Sequence, residues 1–186
     1  MKTNYKILMK HSILFLLFIL MYASCSTPEA RRPLTQKTTT VLSKTIEQNK
    51  KLIAFENKMI ENFIKKDSIH KYHSSNAGFW YYYHTKKQEN SQLPKVGNLV
   101  EFTYNIEDLN GNAIYSQASL GNKKYKVDKE DFIPALQEGI KLMKVGETIT
   151  FVIPSYRAFG LVGDGNKIGI NQAIKSTVTL LNIKSE

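Results

Sequence analysis

The chain has 186 residues, of which 42% are hydrophobic and 11% aromatic. This composition is typical of a protein that buries a core, and it excludes an intrinsically disordered chain. The formal net charge is +10, but no zinc spacing, helix-turn-helix pattern or basic run with interleaved aromatics accompanies it, so we expect no nucleic-acid binding. Anionic lipid headgroups or envelope polymers fit the charge better, and a solvated basic helix face explains it most simply. The single cysteine, Cys25, excludes an intramolecular disulfide and a cysteine metal site.

The first 24 residues have the pattern of an export signal. Lysines come first, then an apolar run and two small residues: Lys2, Lys6, Lys10, residues 13–21, Ala23 and Ser24. The apolar run extends about 14 Å as a helix, roughly half the hydrocarbon thickness of a bilayer, so it is too short for a permanent span. Because Cys25 follows directly, residues 1–24 resemble a lipoprotein signal peptide, with lipid attachment at Cys25. An ordinary signal peptide with an incidental cysteine is the alternative.

Proline content and helical periodicity define the next two segments. Residues 25–36 contain Pro28 and Pro33 and are predicted to be a tether. Residues 37–76 lack glycine and proline and are predicted to be an amphipathic helical segment, with helical spacing over 37–66. The apolar positions of that stripe are Leu42, Ile46, Ile53, Phe55, Met59, Ile60, Phe63 and Ile64. The stripe needs a partner: the following domain, a second copy in a homodimer through 37–66, or a client protein.

From residue 77 onward the pattern changes to that of strands. The strand candidates are residues 79–84, 99–106, 113–116, 125–127, 147–153 and 176–184. Asn110 and Gly111 predict a hairpin-type turn. Pro134 suits the first turn of a helix predicted over 131–143. Residues 77–186 are therefore predicted to be an α+β domain, with an antiparallel β-sheet and one short α-helix.

Several short motifs in residues 94–185 resemble, in order and spacing, those of the FK506-binding (FKBP-type) peptidyl-prolyl isomerases. They are Pro-Lys-Val-Gly at 94–97, Tyr104, Gly111, Phe-Ile-Pro-Ala-Leu-Gln-Glu-Gly at 132–139, Leu-Met-Lys-Val-Gly-Glu at 142–147, Ile-Pro at 153–154, Arg-Ala-Phe-Gly at 157–160 and the strand at 176–180. The lipoprotein start and the motifs at 28–33, 78–82 and 163–169 are similar to the gliding motility-associated peptidyl-prolyl isomerase lipoproteins. The resemblance implies a curved antiparallel sheet wrapped on the helix near 134–143.

The resemblance also implies a shallow apolar active-site pocket between the sheet and this helix. The matching positions are Tyr104 and Tyr125 on the pocket wall, and Phe132 and Ile133 at the rim, where the second residue lends its backbone N–H to the substrate. Four positions depart from the family: Leu136 replaces a floor tryptophan, Tyr115 an aspartate, Phe159 a tyrosine whose hydroxyl contacts the ligand, and Leu180 a phenylalanine. The pocket therefore stays apolar but has fewer polar groups. Without the family resemblance, the spacing of the apolar pocket residues would predict that they are ordinary core residues.

Isomerisation of an X–Pro bond needs no nucleophile, metal or cofactor, because a dry pocket disfavours the planar, charge-separated amide relative to the twisted one. The resemblance implies a peptidyl-prolyl cis-trans isomerase that assists the folding of proline-containing exported proteins. It would be lipid-anchored in the cell envelope and would face the periplasm, on either the inner or the outer membrane. A link to a gliding motility apparatus follows from the resemblance only. The alternative is an envelope chaperone or scaffold lipoprotein with the same fold and little catalysis, which holds clients through residues 37–66.

Two further groups of polar residues could suggest metal binding. His70 and His73 are three residues apart, but no carboxylate or cysteine accompanies them at a recognised ligand spacing, so they are predicted to be solvated linker residues. Asp164 and Asn166 lie in a glycine-rich stretch that predicts a turn rather than a calcium loop. The sequence therefore predicts neither a metal nor a cofactor.

Overall fold

The computed structural model describes residues 35–87 and 92–185, with side chains from residue 41 onward. By its internal contacts the chain divides into two compact units, Met1–Ser43 and Lys44–Glu186, and only the helical residues 35–43 of the first are described. The predicted signal peptide, Cys25 and most of the predicted tether lie outside the described residues. None of the helices in the described ranges is long and apolar enough to cross a membrane.

The first described element is helix α1, Thr35–Lys66, which has 32 residues and confirms the predicted N-terminal helix. It ends at Lys66, where the predicted helical spacing over 37–66 also ends, because Asp67 turns the chain. The Asp67 N–H donates to the carbonyl of Ile64 at 3.1 Å. Its carboxylate Oδ1 accepts the N–H groups of Ile69 at 3.0 Å and His70 at 3.3 Å. Such hydrogen bonds between a side chain and backbone N–H groups replace the bonds that a continuing helix would make. The residues that follow enter the sheet.

The apolar stripe predicted on α1 differs in burial along its length. Ile60 is wholly buried. Leu52 and Ile53 are half-buried beside Tyr156 and Leu161 of the domain. Four apolar positions are exposed: Leu42 at 57%, Ile46 at 46%, Phe55 at 63% and Met59 at 45%. Leu52, Ile53 and Ile60 are therefore half-buried or buried, whereas these four positions are exposed.

We expect Ile60→Ala to lower the free energy of unfolding by about 2 kcal/mol, the lower end for a buried Ile→Ala change. The lower end applies because Ile60 lies outside the central cluster of core residues, where the structure can relax into the space left. Urea denaturation would measure the change. Phe55→Ala is the matched control, since Phe55 is 63% exposed and its truncation should matter by no more than about 0.5 kcal/mol. Equal losses in both variants would contradict the packing of α1 on the domain.

Among the described residues, eight strands form one antiparallel sheet. They are β1 His73–Ser75, β2 Phe79–Thr85, β3 Leu99–Tyr104, β4 Ile106–Glu107, β5 Ala113–Tyr115, β6 Asn122–Lys126, β7 Thr148–Ile153 and β8 Ile174–Lys184. The order across the sheet is β1-β2-β7-β8-β3-β6, and β4 pairs with both β5 and β8. The β3–β8 pairing shifts register between Glu101 and Phe102. An irregularity of this kind bends a strand, which contributes to the curvature of the sheet.

In the described part of the domain, three short helices connect the strands: α2 Gln117–Leu120, α3 Pro134–Ile140 and a 3-10 helix Ser155–Arg157. Helix α3 buries Leu136 and Gly139 against the sheet. A Cβ atom added to Gly139 would lie 2.5 Å from a ring carbon of Phe151 in β7, so the absence of a side chain permits this close approach. An antiparallel sheet packed on one short helix confirms the predicted α+β fold.

The histidines before β2 are packed against neighbouring side chains. His70 Nδ1 lies 2.8 Å from Asp67 Oδ2, and the His70 ring stacks on Tyr82 with centroids 4.0 Å apart. The imidazole of His70 holds the pKa of the Asp67 carboxyl well below its usual range. His73 stacks on Tyr81 at 5.3 Å. His70 is therefore not the solvated linker residue that the sequence predicts, because a carboxylate three residues earlier accompanies it.

Candidate active site

An open pocket of about 380 Å³ lies where β3, the residues before α3 and the loop after the 3-10 helix meet. It is lined by Tyr104, Ile106, Tyr115, Leu120, Asp131, Phe132, Ile133 and Phe159. Tyr104 is the last residue of β3, Phe132 and Ile133 immediately precede α3, and Phe159 follows the 3-10 helix. Separate parts of the chain thus converge on one mostly apolar concavity.

Five of the eight predicted pocket residues line this concavity: Tyr104, Tyr115, Phe132, Ile133 and Phe159. The other three, Tyr125, Leu136 and Leu180, are 0% exposed and belong to the core. Tyr125 lies behind the pocket, with its ring 5.9 Å from that of Phe132. Leu136 is on the buried side of α3. These three are therefore core residues and do not line the pocket.

Three lining residues were not predicted: Ile106, Leu120 and Asp131. Ile106 lies two residues after Tyr104, and alternate residues of an extended chain point the same way, so this spacing could have identified it. Asp131 directly precedes the motif at 132–139. Leu120 ends the short helix α2, and no local pattern marks it.

Aromatic rings form one wall of the pocket around Phe132. Its ring centroid lies 5.6 Å from Phe102, 5.4 Å from Tyr104 and 5.9 Å from Tyr125. The first two contacts are edge-to-face, the arrangement that aromatic quadrupoles favour. The ammonium of Lys123 lies 5.7 Å from the Phe132 centroid. The Phe132 ring therefore packs on aromatic residues of β3 and β6.

Two groups of this pocket can donate a hydrogen bond to a ligand carbonyl. Burial raises the pKa of Tyr104, so its hydroxyl stays protonated and can donate a hydrogen bond. Ile133 caps α3: its carbonyl accepts the N–H groups of Leu136 at 2.8 Å and Gln137 at 3.0 Å. In the part of the chain that the structure describes, the N–H of Ile133 itself has no acceptor. A peptide carbonyl could therefore accept from it.

A carboxylate reaches the edge of the pocket from the late glycine-rich loop. The hydroxyl of Tyr115 donates to Asp164 Oδ2 at 2.5 Å. Asp164 Oδ1 also accepts the N–H groups of Asn166 at 2.9 Å and Ile168 at 2.8 Å, which makes the predicted turn. The Tyr115 hydroxyl lowers the pKa of Asp164, and the carboxylate in return raises the pKa of Tyr115. Tyr115, at the position where the family has an aspartate, is thus joined to an aspartate from another loop.

We expect Tyr115→Phe to raise the pKa of Asp164 toward the ordinary value of about 3.9, because the hydroxyl that stabilises the carboxylate is lost. The loop bonds to Asp164 are present while it is ionised and are lost as the pH falls through its pKa, so the variant loop should lose them at a higher pH. A carbon-detected NMR titration would follow the carboxyl. Asp108 is an internal control, since its pKa is lowered by Asn112 instead. Identical Asp164 titrations would contradict the pairing.

The chemistry that this pocket supports is binding and desolvation. Its lining is aromatic and aliphatic apart from Asp131. Within residues 41–87 and 92–185, no group of three or more His, Cys, Asp or Glu side chains is placed to hold a metal ion. An apolar pocket with one hydroxyl and one backbone donor suits a short peptide segment with an apolar residue, held through its carbonyl groups.

Comparison with known proteins identifies the family of residues 90–181. The sequence profile of the FKBP-type peptidyl-prolyl cis-trans isomerases matches residues 90–181. The probable FKBP-type peptidyl-prolyl cis-trans isomerase FkpA of Neisseria meningitidis serogroup B is 28% identical over 141 residues, which are 76% of this chain and 51% of that protein. The chain therefore spans about half the length of this curated relative.

Two solved structures share the fold. The crystal structure of FkpA from Escherichia coli has a TM-score of 0.58 and 22% identity, and the match covers 94% of this chain and 82% of that chain. The peptidyl-prolyl cis-trans isomerase of Pseudomonas syringae pv. tomato has a TM-score of 0.54 and 17% identity, with coverage of 77% and 96%. At these identities the likeness concerns the fold alone. Through the profile match over residues 90–181, this chain carries a domain of the FKBP-type peptidyl-prolyl cis-trans isomerase family.

Proposed function

We propose that this chain catalyses the cis-trans isomerisation of X–Pro peptide bonds in the pocket lined by Tyr104, Phe132, Ile133 and Phe159. The observation that carries the proposal is the unpaired N–H of Ile133, within the described residues, at the rim of an apolar pocket. This donor can hold a carbonyl of the substrate while the proline ring lies against the aromatic wall. The match to the isomerase family over residues 90–181 supports the assignment.

Catalysis in such a pocket requires only differential binding. The barrier to rotation is about 18–20 kcal/mol because resonance makes the amide planar. The twisted amide has lost that resonance and separates less charge, so a dry aromatic wall disfavours it less than the planar form. Each 1.36 kcal/mol of this difference accelerates the reaction about tenfold. Ile133 and Tyr104 would orient the peptide, and Phe132 and Phe159 would exclude water.

A proline-peptide assay tests the proposal. The cis-to-trans rate of a chromogenic peptide would be measured by protease coupling and checked by protease-free NMR exchange. We expect the rate to rise in proportion to protein concentration above the uncatalysed process, which takes tens to hundreds of seconds. A rate unchanged at micromolar protein would overturn the catalytic proposal and leave the scaffold function.

The scaffold alternative, a chaperone with little catalysis, is favoured by one observation. Helix α1 exposes Leu42, Ile46, Phe55 and Met59, and exposed apolar side chains along one segment are typical of interaction sites. Suppression of aggregation of a proline-free client, lost in Leu42→Ser/Ile46→Ser, would support this function. The same surface could hold a second copy, so sedimentation of wild type and double variant would test the homodimer through 37–66.

We infer that the protein works in the cell envelope, anchored by lipid at Cys25 and facing the periplasm, with proline-containing exported proteins as clients. The signal-like pattern of residues 1–24 supports this location. A role in gliding motility is part of the same proposal and rests on the sequence motifs at 28–33 and 163–169. Cys25→Ser should abolish lipid labelling and release the protein from membranes. Retention of the variant on membranes would contradict the anchor.

A further inference from the structure

Helix α1 contributes a buried carboxylate that the proposed mechanism does not use. Glu56 is 5% exposed and Ser155, its partner in the 3-10 helix, is 2% exposed. Glu56 Oε1 accepts the backbone N–H of Ser155 at 2.6 Å, and Oε2 accepts the Ser155 hydroxyl at 2.8 Å. A carboxylate is costly to bury unless its oxygens are hydrogen-bonded. Here both oxygens bond to one residue that lies 99 positions along the chain.

The carboxylate takes the role of a helix cap supplied from a distant segment. The first N–H groups of a helix have no partner within the helix, and Pro154, which precedes the 3-10 helix, makes no side-chain cap bond. Glu56 supplies that acceptor. The next residue of α1, Asn57, accepts a hydrogen bond from the hydroxyl of Tyr156 at 3.1 Å. Two consecutive residues of α1 are therefore bonded to two consecutive residues of the 3-10 helix.

The 3-10 helix leads directly into the pocket wall. The carbonyl of Ser155 accepts the N–H groups of Ala158 at 2.9 Å and Gly160 at 2.8 Å. Phe159 lies between these two donors, and its ring lines the pocket. On the far side, the N–H of Asn171 donates to the carbonyl of Gly160 at 2.8 Å. A shift of Ser155 would therefore move Phe159.

We propose that Glu56 is a positioning residue for the isomerase pocket: it fixes Ser155 and, through Ser155, the Phe159 wall. The N-terminal helix is then part of the active-site framework, and a client or partner that displaces α1 would change the pocket. Only the kinetic consequence rests on the proposed isomerase function, since the effect on the loop is independent of activity. A displacement of about 1 Å in a positioned group can cost up to about 100-fold in rate.

The test uses three full-chain variants. Glu56→Ala removes both acceptors, and Glu56→Gln keeps an isosteric side chain whose carbonyl can still accept the Ser155 N–H. Glu61→Ala is the control, because Glu61 is exposed on the same helix. We expect Glu56→Ala to lower kcat/KM for a prolyl peptide about tenfold, because a displaced Phe159 excludes water from the pocket less well. The kcat/KM of Glu56→Gln should stay within about threefold of the wild-type value, and that of Glu61→Ala should equal the wild-type value.

Amide hydrogen exchange gives a readout that does not depend on activity. In Glu56→Ala the amides of Ala158 and Gly160 should exchange about tenfold faster while those of β7 stay unchanged. Unchanged exchange at both amides would overturn the proposal, as would equal acceleration in β7, which indicates general destabilisation. If wild type lacks isomerase activity, the proposed function fails but the exchange comparison still decides the role of Glu56. If Glu56→Ala does not fold, Ser155→Ala replaces it, and faster exchange confined to residues 158–160 is again the expected result.

Discussion

Ile133→Asp should lower kcat/KM for a prolyl peptide by at least about 100-fold, equivalent to about 2.7 kcal/mol of transition-state stabilisation. Ile133 lines the pocket and is 8% exposed. A carboxylate there must either lose its hydration or keep water in the pocket, and both outcomes oppose the binding of a twisted, weakly polar amide. The change would be measured by protease-free NMR exchange, with circular dichroism to establish that the variant is folded.

Two variants isolate the effect of the charge in Ile133→Asp. Ile133→Val keeps the backbone donor and most of the apolar surface, and its kcat/KM should stay within a few-fold of wild type. Val96→Asp places the same charge on a side chain that is 62% exposed in a turn outside the pocket, and it should leave turnover unchanged. Wild-type turnover in folded Ile133→Asp would mean that the pocket described above is not the active site.

Leu136→Ala should lower the free energy of unfolding by about 2–5 kcal/mol, the range for truncating a fully buried leucine. Leu136 is 0% exposed within the central core and does not line the pocket. Its truncation should therefore change stability strongly, while the KM of the folded protein changes by no more than about twofold. Urea denaturation and peptide turnover on the same preparation would separate the two effects.

The matched control for Leu136→Ala is Leu142→Ala, because Leu142 is 37% exposed just beyond α3 and its loss should cost less. Leu136→Trp enlarges the same side chain instead of truncating it. The larger ring must displace packed neighbours, which typically lowers the free energy of unfolding by about 1–3 kcal/mol. A large rise in KM for Leu136→Ala at unchanged stability would show instead that this side chain is the floor of the pocket, as the family resemblance implies.

Local signals in the sequence determined most of the secondary structure. Pro134 has a fixed backbone angle and lacks a donor, so it could predict the start of α3 by itself. Asn110 and Gly111 predict a turn, and Gly111 has the positive φ of 91° that favours glycine there. Alternating apolar residues marked β3 and β7. The polar strand β1, His73–Ser75, lacks such alternation and was missed, since it forms by pairing with β2.

The motif at 132–139 shows what the sequence could and could not determine about the site. Its residue types and order indicate the family and place a pocket near the start of α3. They do not distinguish Ile133, which lines the pocket, from Leu136, which is buried in the core. Both positions are apolar and lie within one helical turn. Whether each side chain lines the pocket or is buried depends on how β3 and the loop carrying Phe159 pack near the helix. These segments are distant from the motif in the sequence.

The tertiary structure alone decided which polar groups meet. Tyr115 and Asp164 are 49 positions apart, and Glu56 and Ser155 are 99 apart, so no spacing rule connects either pair. Glu56 is one of several charged residues of α1, and a solvated carboxylate is the ordinary expectation for a glutamate. Its burial follows from the packing of α1 against the 3-10 helix. Sequence patterns report the period of a single element, whereas a pocket and its supports are produced by the contacts between elements.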